Sequence, residues 1–183
     1  SITMQFNKSL MTAALLAVGS LTAFSANAAN TTTGSFDVKI TIQKTCNVAA
    51  AVGTNNILFG EHIAGSTTNL QGTAAAPIKV NCSKGTPYKL GLTSTKAAAN
   101  ATGLGVMKGP AAGTEEIGYQ LRQATGATGA VWGNTGENLV SGSGTGMSAA
   151  EVKNHTVYAT VTGSSDDVTP GDYSDTVNVL MTY

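Results

Sequence analysis

Residues Ser35 to Gln43 read Ser-Phe-Asp-Val-Lys-Ile-Thr-Ile-Gln. This strict alternation puts Phe36, Val38, Ile40 and Ile42 on one face of an extended strand and Asp37, Lys39, Thr41 and Gln43 on the other. A strand so apolar on one side has to join a sheet. It can open a β-sandwich within its own chain, which is the plain reading of the periodicity, or it can enter a sheet of another copy.

The position of this strand sharpens the choice. Residues 1–28 read as a processed leader: Lys8 gives a positive start, Met11 to Phe24 is small and apolar, and Ala26-Asn27-Ala28 is a cleavage signal that places the mature start at Ala29. Met4 is the expected initiator. Gly19, Ser20 and Thr22 interrupt the apolar run, which is too short to span a bilayer. The expected product is an exported chain whose alternating strand sits near its N-terminus.

Charge excludes some partners. Lysine and arginine number 10, as do aspartate and glutamate, and removing Lys8 with the leader leaves nine basic against ten acidic residues. That balance offers no electrostatic footprint for nucleic acid or an anionic membrane. Only 11% of residues are charged and 22 are glycine, as expected for β-structure with many turns. The processed length suits one domain with a single two-layer core.

Two cysteines, Cys46 and Cys82, have no metal-ligand spacing around them, and in an exported protein the expected state is one disulfide. Ile78 to Cys82 alternates so that Cys82 shares a face with Ile78 and Val80, which would put the bond in the core. Elsewhere the pattern predicts a short strand at Ile57 to Gly60 and a polar loop from Gly65 to Thr73. A turn at Ser83 to Pro87 leads to a returning hairpin arm at Tyr88 to Leu92. Residues 97–114, with the Ala97 to Ala99 run broken by later glycines and Pro110, read as loop with a brief strand at Val106-Met107. Further strands are expected at Ile117 to Leu121, Val131-Trp132, His155 to Val161 and Tyr173 to Tyr183, with a Gly-Ser loop over Val140 to Ser148. Short strands separated by such turns predict an all-β, antiparallel sandwich.

The sequence stops inside that last strand. If the sandwich is immunoglobulin-like, a seventh strand is then wanting, and the edge strand carrying Tyr173, Val177, Val179, Met181 and Tyr183 borders an open apolar groove. A surplus strand at one end and a missing one at the other fit head to tail and would generate a fibre.

The chain also resembles the spore coat U type of domain, and within it the pilins of archaic, Csu-type chaperone-usher pili. The matching residues are Cys46-Asn47-Val48, Leu58-Phe59-Gly60, Ile78 to Cys82 with Gly85-Thr86-Pro87-Tyr88, Gly118 to Leu121, Val131-Trp132-Gly133, and Pro170 to Val177 through Tyr183. The resemblance implies an incomplete immunoglobulin-like sandwich lacking its last strand and completed by donor-strand exchange. The domain would span 43–183, with residues 29–42 as the donor strand presenting Phe36, Val38, Ile40 and Ile42. It implies a major structural subunit of a surface pilus serving attachment and biofilm formation. Its partners would be other copies of itself, a periplasmic chaperone, an outer-membrane usher and minor or tip pilins. The resemblance does not fix where the donated strand ends, since one ribbon could serve two cores: Phe36 and Val38 are expected in the neighbour, Ile40 stands at the boundary, and for Ile42 a place in its own core is the alternative. The alternative is a monomeric secreted or spore-coat-type binding module whose N-terminal strand closes its own sheet.

Catalytic and cofactor patterns are not found in the sequence. There is no G-x-S-x-G elbow, and His62 and His155 lack Cys/His metal spacing and read as exposed residues. Gly142, Gly144 and Gly146 are not followed by the Lys-Ser/Thr of a phosphate loop. Asp166, Asp167, Asp172 and Asp175 miss the EF-hand register and read as a solvated acidic turn. Adjacent Glu115 and Glu116 would point to opposite faces of a strand rather than share a site. The expectation is a non-enzymatic protein without cofactor or metal.

Overall fold

The computed structural model describes residues 30–67, 69–97, 101–110 and 114–183. The leader at 1–28 and Ala98 and Ala99 of the alanine run lie outside the described residues. The chain divides into two compact units at the Ile40/Thr41 junction. In the first, residues 30–40 belong to no strand and an ion pair of 2.6 Å joins Asp37 to Lys39. Both side chains stand in solvent, where such a pair contributes little.

Among the described residues, all strands lie in the second unit. They are β1 (Cys46–Ala49), β2 (Gln71–Thr73), β3 (Ile78–Cys82), β4 (Pro87–Ser94), β5 (Leu104–Lys108), β6 (Glu116–Arg122), β7 (Val140–Ser143), β8 (Lys153–His155), β9 (Tyr158–Val161) and β10 (Val177–Thr182). Every pairing between them is antiparallel, in three sheets ordered β1-β3-β8, β10-β4-β7 and β2-β9-β6-β5. Alternate residues of β3, β4, β6 and β9 meet in one core built on Ile78, Val80, Leu90, Leu92, Leu121 and Ala159. Trp132 is sealed into it, with its indole N–H donating to the Leu90 carbonyl at 3.1 Å. The chain is an all-β antiparallel sandwich, and Cys46 and Cys82, directly opposed on β1 and β3, form its disulfide.

Residues 35–43 pair with no strand among the described residues. Several local expectations are corrected. β3 and β4 are not a hairpin. The turn closed by Thr86 N–H to Ser83 C=O carries the chain from one sheet to another, so that β3 pairs with β1 and β8, and β4 with β10 and β7. Leu90 and Leu92 thereby reach the same core as Val80 from a different sheet. Ile57 to Gly60 is no strand but a single bridge from Ile57 to Ala74, and Val131 likewise makes one bridge, to Arg122. The span His155 to Val161 divides between β8 and β9, which sit in different sheets, and the last strand is regular only from Val177 to Thr182.

Strands also appear where loops were expected: β2 within Gly65 to Thr73, β7 within Val140 to Ser148, and five residues of β5 rather than two. Glycine weakens a strand for want of a side chain to pack. Here the cross-strand partner supplies the cover. Gly142 pairs with Tyr88 and Gly105 with Tyr119, and a Cβ at either glycine would lie within 2.3 Å of the tyrosine ring.

Candidate functional site

The sandwich is open along one side. Among the described residues, β1 and β10 are each the end strand of their sheet, pairing with β3 and β4 respectively. Between their unpaired edges runs a groove of about 730 Å³. One wall comes from Val48 of β1 and the following segment through Val52, Leu58 and Phe59; the other comes from 173–179, including Val177 and Val179. The floor is the core itself, with Ile78, Leu92, Leu121 and Ala159 among its residues.

The edges of two end strands thus border an apolar floor. Backbone N–H and C=O groups on both sides can accept a ladder, and pockets below can take alternate side chains. Val52 and Leu58 are 83% and 78% exposed on the lip, so the groove leaves apolar surface open to water.

Polar anchors fix the segment that enters β10. The Asp175 carboxylate accepts hydrogen bonds from Tyr119 Oη, Ser94 Oγ and Thr95 Oγ1, and from the backbone N–H of Thr176. Burial first, and then the hydrogen bond to Asp175, push the Tyr119 phenol far above its usual range. Two residues earlier, Tyr173 donates to Glu115 at 2.9 Å and its ring covers Gly109. The N–H of Thr169, the Tyr173 hydroxyl and the Thr169 hydroxyl together hold Glu115 below the usual carboxylate range. Glu116 turns the other way, to Lys108 at 2.9 Å, as its neighbouring strand position requires.

Of the five residues expected on the edge strand, Tyr173, Val177 and Val179 line the groove. Met181 packs against the core, and Tyr183 lies 48% exposed beneath Lys44, whose Nζ is 5.9 Å from the ring centroid. Phe36, Val38, Ile40 and Ile42 are 87%, 88%, 84% and 78% exposed. The sequence did not point to Val48, Val52 and Leu58 as groove residues. An alternation running past Cys46 would have reached Val48, but Val52 and Leu58 sit on a turn and an irregular segment with no period to follow.

Two expectations about side chains are corrected. His155 is half buried, its Nε2 sharing a 2.8 Å hydrogen bond with Tyr88 and its ring edge-on to Trp132, and burial lowers its pKa. Asp175 is no solvated turn residue but the anchor of a hydrogen-bonded cluster. Among the described residues no group of three or more His, Cys, Asp or Glu is placed to hold a metal ion.

The family model described as Spore Coat Protein U domain matches residues 32–180. A solved structure also resembles the chain: the CsuC-CsuE chaperone-tip adhesion subunit pre-assembly complex from archaic chaperone-usher Csu pili of Acinetobacter baumannii. The identity is 19% and the TM-score 0.49, over 78% of this chain and 41% of that one. The chain thus spans about two fifths of the length of the solved chain it matches. No curated protein matches it.

Proposed function

We propose that this chain, which belongs to the Spore Coat Protein U domain family, is a structural subunit of a surface pilus that polymerises by donor-strand complementation. The observation that carries the reading is the pairing of an apolar groove lined by two end strands with an exposed alternating ribbon on the same polypeptide. One copy's Phe36, Val38, Ile40 and Ile42 enter the next copy's groove, completing the sheet edges and covering the apolar floor. Each such side chain contributes about 1.5–3 kcal/mol on burial, and the edges gain their ladder partners.

The same geometry calls for a partner before assembly. An open groove is an aggregation hazard, so a periplasmic chaperone lends a strand until an outer-membrane usher exchanges it for the next subunit's ribbon. The absence of a catalytic constellation in the sequence fits a building role. We place the chain as the major subunit, passing through the periplasm to a pilus that carries minor or tip pilins and supports attachment and biofilm formation.

Electrophoresis of the exported protein, unheated and without reductant, tests this. The expected result is a ladder of multimers that collapses for Val38→Asp, because a carboxylate entering an apolar groove costs several kcal/mol. A single monomer band from the unsubstituted protein would overturn the reading.

A further inference from the structure

The groove takes one end strand from each three-stranded sheet. The other two end strands, β7 and β8, border a second and smaller cavity of about 310 Å³ among the described residues. Such a volume lies at the small end of ligand pockets, which run from about 300 to 1,000 Å³. Gln123 comes to it from just past β6, Val140 from β7, Asn154 from β8, and Thr156 and Tyr158 from the entry into β9.

Most of the polar groups there are unspent. His155, also on the lining, is committed through Nε2 to Tyr88 Oη at 2.8 Å. Gln123 Nε2 donates to the Val131 carbonyl at 2.8 Å, which leaves the Gln123 Oε1 open. The side chains of Asn154, Thr156 and Tyr158 have no partner among the described residues. None of them holds a sealed, unpaired atom, so their polar ends reach open space. No lysine, arginine, aspartate or glutamate lines the cavity, and nothing in it answers a charged ligand. It offers one amide that donates and accepts, one amide oxygen that accepts, and two hydroxyls that do either, beside apolar surface from Val140 and Trp132. A pyranose matches that set, with adjacent hydroxyls that donate and accept around a ring whose C–H bonds are apolar.

We propose that the cavity between β7 and β8 binds a single neutral pyranose unit, held by Asn154, Thr156, Tyr158 and Gln123. The site stands apart from the groove between β1 and β10 and does not depend on the pilus-subunit reading.

Saturation-transfer NMR on the full chain, with D-glucose, D-galactose, D-mannose and N-acetyl-D-glucosamine at millimolar concentration, tests this. At least one of the four is expected to receive saturation from the protein. Asn154→Ala and Thr156→Val are each expected to weaken that binding about five- to tenfold, the worth of one hydrogen bond. Neither side chain holds anything within the chain, so both variants are expected to melt with the unsubstituted protein. A methyl glycoside that binds like its parent sugar assigns the site to the end of a glycan, and one that does not assigns it to the free sugar; either upholds the proposal. Absence of saturation for all four sugars would overturn it, as would binding that both variants leave unchanged.

Discussion

The hydroxyl of Tyr119 on β6 donates a 2.7 Å hydrogen bond to the carboxylate of Asp175, just ahead of β10. Because β10 is held on one side only, by β4, this bond and those from Ser94 and Thr95 fix where the free edge of the groove begins. Asp175→Ala removes the acceptor and strands the buried hydroxyls of Tyr119 and Ser94. An unsatisfied buried polar group costs about 1–3 kcal/mol, so a loss of about 2–4 kcal/mol is expected. Tyr119→Phe, which deletes one bond and leaves the other donors served, is expected to cost about 1 kcal/mol. Denaturant melts of both variants check the order, and equal losses would contradict it.

The disulfide should matter most where it ties the groove's other wall. Cys46–Cys82 closes a sequence separation of 36 residues and joins β1, which pairs only with β3. On the chain-entropy estimate the bond is worth about 4 kcal/mol. Cys46→Ser is expected to lower the unfolding free energy by that order, and alkylation of the native oxidised protein should find no free thiol.

What could be read from sequence follows the physics of each segment. Ile78 to Cys82 was legible because burial on one face forces alternation, and the disulfide because the two cysteines stand without other partners. β7 and the first residues of β5 were hidden by Gly142 and Gly105, whose cover is a tyrosine on the paired strand rather than a side chain of their own. The exchange of sheets between β3 and β4 was hidden for a related reason. Alternation says which side of a strand is buried, not which sheet it joins. The groove was legible in part: Val177 and Val179 lie in a periodic strand, whereas Val52 and Leu58 become groove residues only once β1 is placed opposite β10. Asp175 and His155 carry local patterns of surface residues, and their partners Tyr119, Ser94, Tyr88 and Trp132 come from elsewhere in the chain.

His155 predicts a pH dependence with a definite sign. Burial lowers its pKa in the folded chain below 6.5, so the unfolded chain takes up the proton first as the pH falls. Stability is therefore full above about pH 6.5 and declines below it, levelling once the folded pKa is passed. Glu115, held low by Thr169 and Tyr173, loses its contribution only below about pH 4.5, its unfolded range. Melting temperatures between pH 7.5 and about 5 should fall for the native sequence and stay nearly flat for His155→Gln. A slope surviving the substitution unchanged would assign the effect to another group.

A chain that carries its own complement should be a stable monomer. With residues 31–42 moved to follow Tyr183 through a flexible turn, the ribbon can run antiparallel to β10 along its free edge and fill its own groove. Burying Phe36, Val38, Ile40 and Ile42 gives a gross gain of roughly 6–12 kcal/mol, opposed by the entropy of ordering the strand. Delivery within one molecule removes the need for a second subunit. Typical domains are stable by only about 5–15 kcal/mol, so one strand is enough to decide whether the subunit folds durably. The rearranged chain is expected to remain monomeric and to melt far above a variant that simply lacks residues 31–42. Equal melting temperatures, with both variants soluble monomers, would mean that the groove between β1 and β10 gains nothing from a strand, and the pilus-subunit reading would fail with it.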